Sequence, residues 1–229
     1  MQLSRVPLFT LSLMALFALP TVGLAASFDC SKASSRVEKL ICEDAESSAL
    51  DEHLARYYQA ARSALGRGGE CLRTDQRTWL ASVRNGCDNR DCLRRVYLER
   101  LAELDGLQPG ATALQTIELP HGRQLVGILA PAEDEVAAPR SSTSTAVEIR
   151  GHIVDDIETG DGFVLRAADG NSYLLRPLMF LEPEDASLLT AAAQQAQSEY
   201  FVKGFLESAE ESFDVSWCVY IYRLPPAGH

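Results

Sequence analysis

The spacing of apolar residues changes once along this chain, and that change limits the folds open to it. Between Val37 and Leu104 large apolar residues recur every three or four positions, the period that lines one face of an α-helix. From Val147 to Ile221 they alternate with polar residues instead, the two-residue period of a half-buried strand. The pattern predicts a helical region followed by a sheet.

Residues 71–104 organise the helical region. Leu72, Trp79, Leu80 and Val83 form one apolar stripe, and Leu93, Val96, Tyr97, Leu101 and Leu104 form a second. Between them Asn85-Gly86 and Asp88-Asn89 break the helix, Cys87 and Cys92 flank the break, and Asp91 is placed to cap the second helix. Upstream, Ser35 and Glu38 fit a capping box at the head of a short helix carrying Val37, Leu40 and Ile41. Residues 46–65 place Leu50, Leu54, Tyr57, Tyr58, Ala61 and Leu65 on one helical face, and Gly66, Gly68 and Gly69 end that helix. Three main helices and a short leading one predict a compact bundle.

Arg5, the apolar run 8–19 and the small residues Gly23 and Ala25 read as a secretory signal peptide cleaved after Ala25. The run is shorter than the ~20 residues that span a bilayer, so no membrane anchor is expected once it is removed. A periplasmic or secreted location follows, and in an oxidising space six cysteines read first as disulfides. Proximity pairs Cys30 with Cys42 and Cys87 with Cys92, leaving Cys71 and Cys218 paired or free. No Cys-x-x-Cys occurs and the four histidines are not clustered with the thiols, so neither a metal nor another cofactor is expected.

Lys and Arg number 21 against 32 Asp and Glu, a formal charge of −11. Residues 26–106 carry 13 basic and 14 acidic side chains, whereas residues 107–229 carry 7 and 18. The excess therefore belongs to the second half, which repels phosphates and attracts basic partners.

In residues 107–145, strands at 116–119 and 124–129 are expected about a His121-Gly122-Arg123 turn, a hairpin that either neighbouring domain could claim, followed by a Pro-, Ala- and acid-rich linker. Three strands around residues 147–153, 163–165 and 173–175, a helix over 183–197, and strands at 200–202 and 213–221 complete the chain. A helix between the third and fourth of five strands is the order of an OB-fold. The predicted fold is thus α+β in two domains. After the signal peptide (1–25) come a disulfide-stabilised α-helical bundle (26–106), the hairpin and linker (107–145) and a small β-barrel of OB-fold type with one helix (146–225).

Chemistry is sparse. The acids of DDIETGDG lack the spacing and terminal glutamate of a calcium loop, and no Ser or Cys nucleophile is set beside a histidine, so no catalytic residue is assigned and the chain reads as a non-enzyme. Nucleic-acid binding is not expected: tyrosines 173, 220 and 222 could stack on bases, but the acids around them leave no basic groove.

Several separated motifs, Phe28-Asp29-Cys30, residues 37–42 (VEKLIC), Leu50-Asp51, Tyr57, Gln76-Arg77-x-Trp79-Leu80, Cys87, Cys92-Leu93, Tyr97 and Arg100-Leu101, fall in the order in which they occur in the LprI-type lysozyme-inhibitor family. Residues 28–105 resemble that family; two departures are the missing lipid-anchor cysteine and Cys71, which is additional to the family's usual four. The resemblance implies an envelope protein that blocks lysozyme, with a protein partner of basic charge. The alternative is an envelope interaction or assembly module with no lysozyme-binding role. Within the family motif, Trp79 is expected on the apolar stripe, and Gln76 and Arg77 are expected to tie the leading segment to the bundle. Because a glycosidase cleft holds two carboxylates, a protruding neutral or basic group would be needed to fill it, and His121 and Arg123 are candidates.

Overall fold

The computed structural model describes residues 26–108, 117–131, 144–156, 162–207 and 211–226. Its front half is four helices, α1 (Arg36–Glu43), α2 (Ala45–Ala64), α3 (Gly68–Ser82) and α4 (Arg90–Asp105). The capping box forms at α1: the Glu38 amide donates to Ser35 Oγ at 3.1 Å and the Ser35 amide to Glu38 Oε2 at 2.9 Å. Two of the free amides at the helix start are thereby satisfied. Leu50, Leu54, Tyr57 and Ala61 are the buried stripe of α2, and Leu93, Val96, Tyr97, Leu101 and Leu104 that of α4. Disulfides join Cys30 to Cys42 and Cys87 to Cys92.

Three local readings are corrected. Asn89, not Asp91, caps α4, its side chain accepting from the Cys92 amide at 2.9 Å. Gly66, at a φ of 52°, makes the turn after α2, but Gly68 and Gly69 already belong to α3. A Cβ on Gly68 would lie 2.7 Å from the carbonyl oxygen of Ile128, so that helix start needs glycine to approach the sheet. The leading segment is held by Asp51 and not by Gln76 or Arg77: the Ser27 amide and hydroxyl donate to Asp51 Oδ2 at 2.8 and 2.5 Å.

The larger correction concerns the second half, which is an open sheet and not an OB-type barrel. Strands β1 (Gln124–Leu129), β2 (Thr145–Asp156), β3 (Gly162–Ala167), β4 (Ser172–Arg176), β5 (Tyr200–Leu206) and β6 (Val219–Arg223) form one antiparallel sheet in the order β1-β6-β5-β2-β3-β4. Of the two neighbours open to the 124–129 strand it is the sheet that takes it: β1 adds to the outer side of β6, with Leu125 opposite Tyr222 and Leu129 opposite Val219. That addition sets β1 and β4 at opposite edges of the sheet. Residues 117–119 are not a strand, and Thr116 and most of the proposed linker lie outside the described residues. The last strand is shorter than its alternation predicts. Phe213 makes a single bridge to Leu206, Trp217 stacks on Phe205 at 4.2 Å between centroids, and regular pairing begins at Val219.

Both faces of the sheet are covered near β6. On one side Leu125, Ile128, Tyr220, Tyr222 and Phe201 join the same cluster as Leu72, Leu101 and Leu104 of α3 and α4. On the other, Leu129, Ile153, Phe163, Leu165, Val202 and Ile221 pack with Leu189 of helix α5 (Pro183–Ala193). Burial of each such side chain contributes ~1.5–3 kcal/mol, so this double covering anchors the layered arrangement of bundle, sheet and helix. Arg176 closes the far rim: fully buried, it donates to the carbonyls of Ala130 (2.7 Å) and Val215 (3.4 Å) and stands 3.9 Å from Asp185.

Candidate functional site

Two residues of the family motif, Gln76 and Arg100, meet in a buried ionic cluster where the helices meet the sheet. Arg100 sits within the apolar stripe of α4, between Tyr97 and Leu104, and only 4% of it is exposed. Its Nε donates to Gln76 Oε1 at 3.0 Å, and its two terminal nitrogens reach Asp75 at 2.6 Å and Glu103 at 2.7 Å. Burial opposes the charge of Arg100, but Glu103 and Asp75 outweigh that and raise its pKa. Glu103 also faces Arg123 at 3.8 Å, and the Arg123 guanidinium lies over the rings of Tyr222 (4.7 Å) and Phe201 (5.3 Å). Gln76 and Arg123, far apart in sequence, thus belong to one chain of contacts running from α3 through α4 to the sheet.

The same junction holds the third disulfide. Cys71, near the start of α3, bonds Cys218, just before β6, and the Tyr220 hydroxyl donates to the Cys71 carbonyl at 3.2 Å. Burial, and after it the nearby Asp75, raise the Tyr220 pKa; burial with Glu103 and Asp75 does the same for Tyr222. Both phenols stay protonated; Tyr220 serves as a hydrogen-bonding group and Tyr222 as a packing group beneath Arg123. Cys71 had read as additional to the family's four cysteines, and its partner lies outside the resembling segment.

His121 is exposed and lines a groove of about 790 Å³ between the end of α4 and the sheet, together with Asp105, Gln124, His152, Glu199 and Arg223. Asp105 accepts from the Tyr57 hydroxyl at 2.9 Å, Arg223 donates to Gln124 Oε1 at 2.9 Å, and His152 Nδ1 lies 3.0 Å from the Ser198 carbonyl. Its charged groups include both signs and its walls include Leu119 and three prolines, so it suits a polar, neutral segment better than an ion. Among the described residues no group of three or more His, Cys, Asp or Glu side chains is placed to hold a metal ion.

Of the other predicted residues, Trp79 is half-buried and meets Tyr97 edge-to-face, with centroids 5.7 Å apart; Leu80 is half-buried and Arg77 exposed. Tyr97 in turn donates to Asp51 at 2.6 Å, and burial followed by that carboxylate raises its pKa. The Arg100 cluster was the feature hardest to anticipate. Its signal was a charged residue inside an apolar stripe, opposite a glutamine on the facing helix.

At the other end of α3 stands an exposed loop. Ser82, Val83, Asn85, Gly86, Asp88 and Asn89 are all exposed, and a Cβ on Gly86 would find nothing within 4 Å. The Cys87–Cys92 disulfide pins its Cys87 end to the first turn of α4, Arg36 donates to the Asp88 carbonyl at 2.9 Å, and Arg84 reaches inward to Asp51 at 3.8 Å.

Comparison with known proteins bears on the helical half. Residues 30–104 match a family model described as lysozyme inhibitor LprI. Curated relatives named lipoprotein LprI, from Mycobacterium bovis and Mycobacterium tuberculosis, are 35% identical over 98 residues, which is 41% of this chain and 47% of each relative. The chain therefore spans about half the length of the curated relatives it matches. No solved structure matches it. Among the described residues no helix is long and apolar enough to cross a membrane.

Proposed function

We propose that this protein is a non-enzymatic binding protein of the bacterial periplasm that blocks a lysozyme, the helical half making the specific contacts. One observation carries the reading: residues 30–104, the segment similar to the inhibitor family, fold as a complete four-helix unit with its own two disulfides. Export fits the signal-like pattern of residues 1–25 and the three disulfides, which persist in an oxidising compartment.

Charge supports the same partner. The acid excess of residues 107–229 would steer a basic enzyme toward the molecule, an effect on encounter rate that weakens with salt. The test is lysis of peptidoglycan suspensions, followed by turbidity, by an animal lysozyme and by a bacterial muramidase with the full-length mature protein added. The expected result is a slower fall in turbidity for at least one of the two; unchanged lysis by both at micromolar excess would overturn the reading.

A second reading, an envelope assembly module, is favoured by the groove that both halves build together. Pull-down from periplasmic extract separates the two, since the inhibitor retrieves a muramidase and the assembly module does not.

A further inference from the structure

If the inhibitory role lies in the segment shared with the LprI family, its contact surface must satisfy three conditions. It must lie within residues 30–104, be left uncovered by the sheet, and hold its shape when a partner arrives. The inner surface of α3 and α4 fails the second condition. Cys71, Gln76 and Arg100 are buried there, and Tyr220, Tyr222 and Arg123 cover that face from the sheet side. The His121-Gly122-Arg123 turn fails the first condition, because it lies outside the matched residues. Arg123 is moreover already engaged by Glu103 and two rings.

We propose that the turn between α3 and α4, residues 83–87 with Val83, Asn85 and Gly86 exposed and Cys87 pinned to α4 by its disulfide, is the element that enters the carboxylate-lined cleft of a cationic glycosidase. This inference rests on the inhibitor reading. The loop meets all three conditions. It begins about a dozen residues after Cys71, which at ~1.5 Å per helical residue sets it roughly 18 Å from the interface with the sheet. It is fixed from three directions, by Cys87–Cys92, by the bond from Arg36 to the Asp88 carbonyl and by Arg84 reaching Asp51. A rigid loop loses little conformational freedom on binding, which is where preorganised binders gain affinity.

Chemistry at the tip matches the cleft as well. Glycosidases of the retaining and inverting types hold two carboxyl groups beside the bond they cleave, and a carboxylate entering that space would be repelled. From Gln76 to Cys87 this chain has no Asp or Glu, although it carries 32 acids in total; the exposed Asp88 and Asp91 follow on the α4 side of Cys87, after the tip. The tip offers an apolar side chain at Val83, 40% exposed, an amide at Asn85 and bare backbone at Gly86. Complementarity thus holds at two scales, with net negative charge drawing a basic enzyme in and an acid-free tip reaching its acidic cleft.

The test compares two glycines that each face open space, Gly86 on the loop and Gly122 on the other turn, neither of which has a contact for an added Cβ within 4 Å. Full-length Gly86→Trp, Val83→Glu and Gly122→Trp proteins are assayed for inhibition of whichever lysozyme the unaltered protein inhibits, with thermal unfolding run in parallel to establish that each is folded. Gly86→Trp and Val83→Glu are expected to weaken inhibition at least tenfold, and Gly122→Trp to leave it within twofold. Retained inhibition in both loop variants overturns the inference, as does an equal loss in Gly122→Trp. Absence of inhibition by the unaltered protein is a different result: it removes the inhibitor reading itself.

Discussion

The two halves of this molecule bury different things. Inside the helical half lie charged and polar groups held by hydrogen bonds: Asp51 with Tyr97 and Ser27, and Arg100 with Gln76, Asp75 and Glu103. Between the sheet and α5 the core is mostly apolar, with the Tyr200 hydroxyl donating to the Ala192 carbonyl, and among the described residues its buried charges, Arg176, Asp185 and Asp214, stand outside the apolar cluster, Arg176 among carbonyls. Charge at the surface is distributed the other way, the near-neutral helical half contrasting with the acidic half that follows. Helices with modest apolar stripes thus gain a unique arrangement from buried polar contacts, while the sheet gains it from register and side-chain alternation.

That contrast can be broken or sharpened by removing one tie at a time. The largest effect is expected from Cys71→Ser with Cys218→Ser. The link closes 147 residues, and the chain-entropy description gives about 5 kcal/mol for a loop of that length, against about 2 kcal/mol for the five-residue Cys87–Cys92 loop. Urea unfolding followed by both tryptophan fluorescence and far-ultraviolet circular dichroism should show a lower midpoint. Coincident transitions would mean that the shared apolar face still couples the halves; separated transitions would mean that the disulfide alone did so.

Arg100→Met comes next. It leaves Asp75 and Glu103 without their shared cation and is expected to cost about 3–5 kcal/mol, read from the same urea midpoint. A loss under about 1 kcal/mol would show that the helical half does not depend on its buried charges, and the contrast drawn above would fall. Gly68→Ala tests the contact between the halves more gently. Its Cβ would press on the Ile128 carbonyl at 2.7 Å, for an expected loss of about 1–3 kcal/mol.

The smallest effect concerns pH. Hydrogen bonds from the Ser35 and Ser34 amides hold the Glu38 carboxyl down to about 2, below its ordinary 4.5. Because the folded value is the lower one, the contribution of this capping box is complete above about pH 4.5 and is lost as pH falls toward 2. The thermal midpoint should decline across that window, and Glu38→Gln should flatten part of the decline. A slope identical in both proteins would remove the box from the acid response.

What the sequence conveyed followed physical range. Helix positions were legible because the stripe of α2 and the Ser35/Glu38 box are encoded within a few residues, and the two local cysteine pairs lie 12 and 5 residues apart. The sheet topology was not. Nothing near Gln124 announces that it pairs with Arg223, and the isolated look of β1 between two low-apolar stretches made it read as a connector. Alternation also overstated the last strand, because Phe213 and Val215 are buried by a turn and not by a ladder. At the site, Gln76 and Arg100 were both legible as motif members, but their contact was not, since a charge within an apolar stripe states only that a partner exists.

The position of β6 has a consequence in time. It is the last strand of the chain, yet it lies between β1 and β5, and Cys218 stands immediately before it. An exported chain enters the oxidising compartment from its N-terminal side, so the helical half can complete α1 to α4 and both of its local disulfides while β1 still has no neighbour and Cys71 is still a thiol. Pairings of such high sequence separation form late and slowly. For that interval Cys71 is the one cysteine of the helical half without its partner, and the native pairing requires it to remain unoxidised until Cys218 arrives.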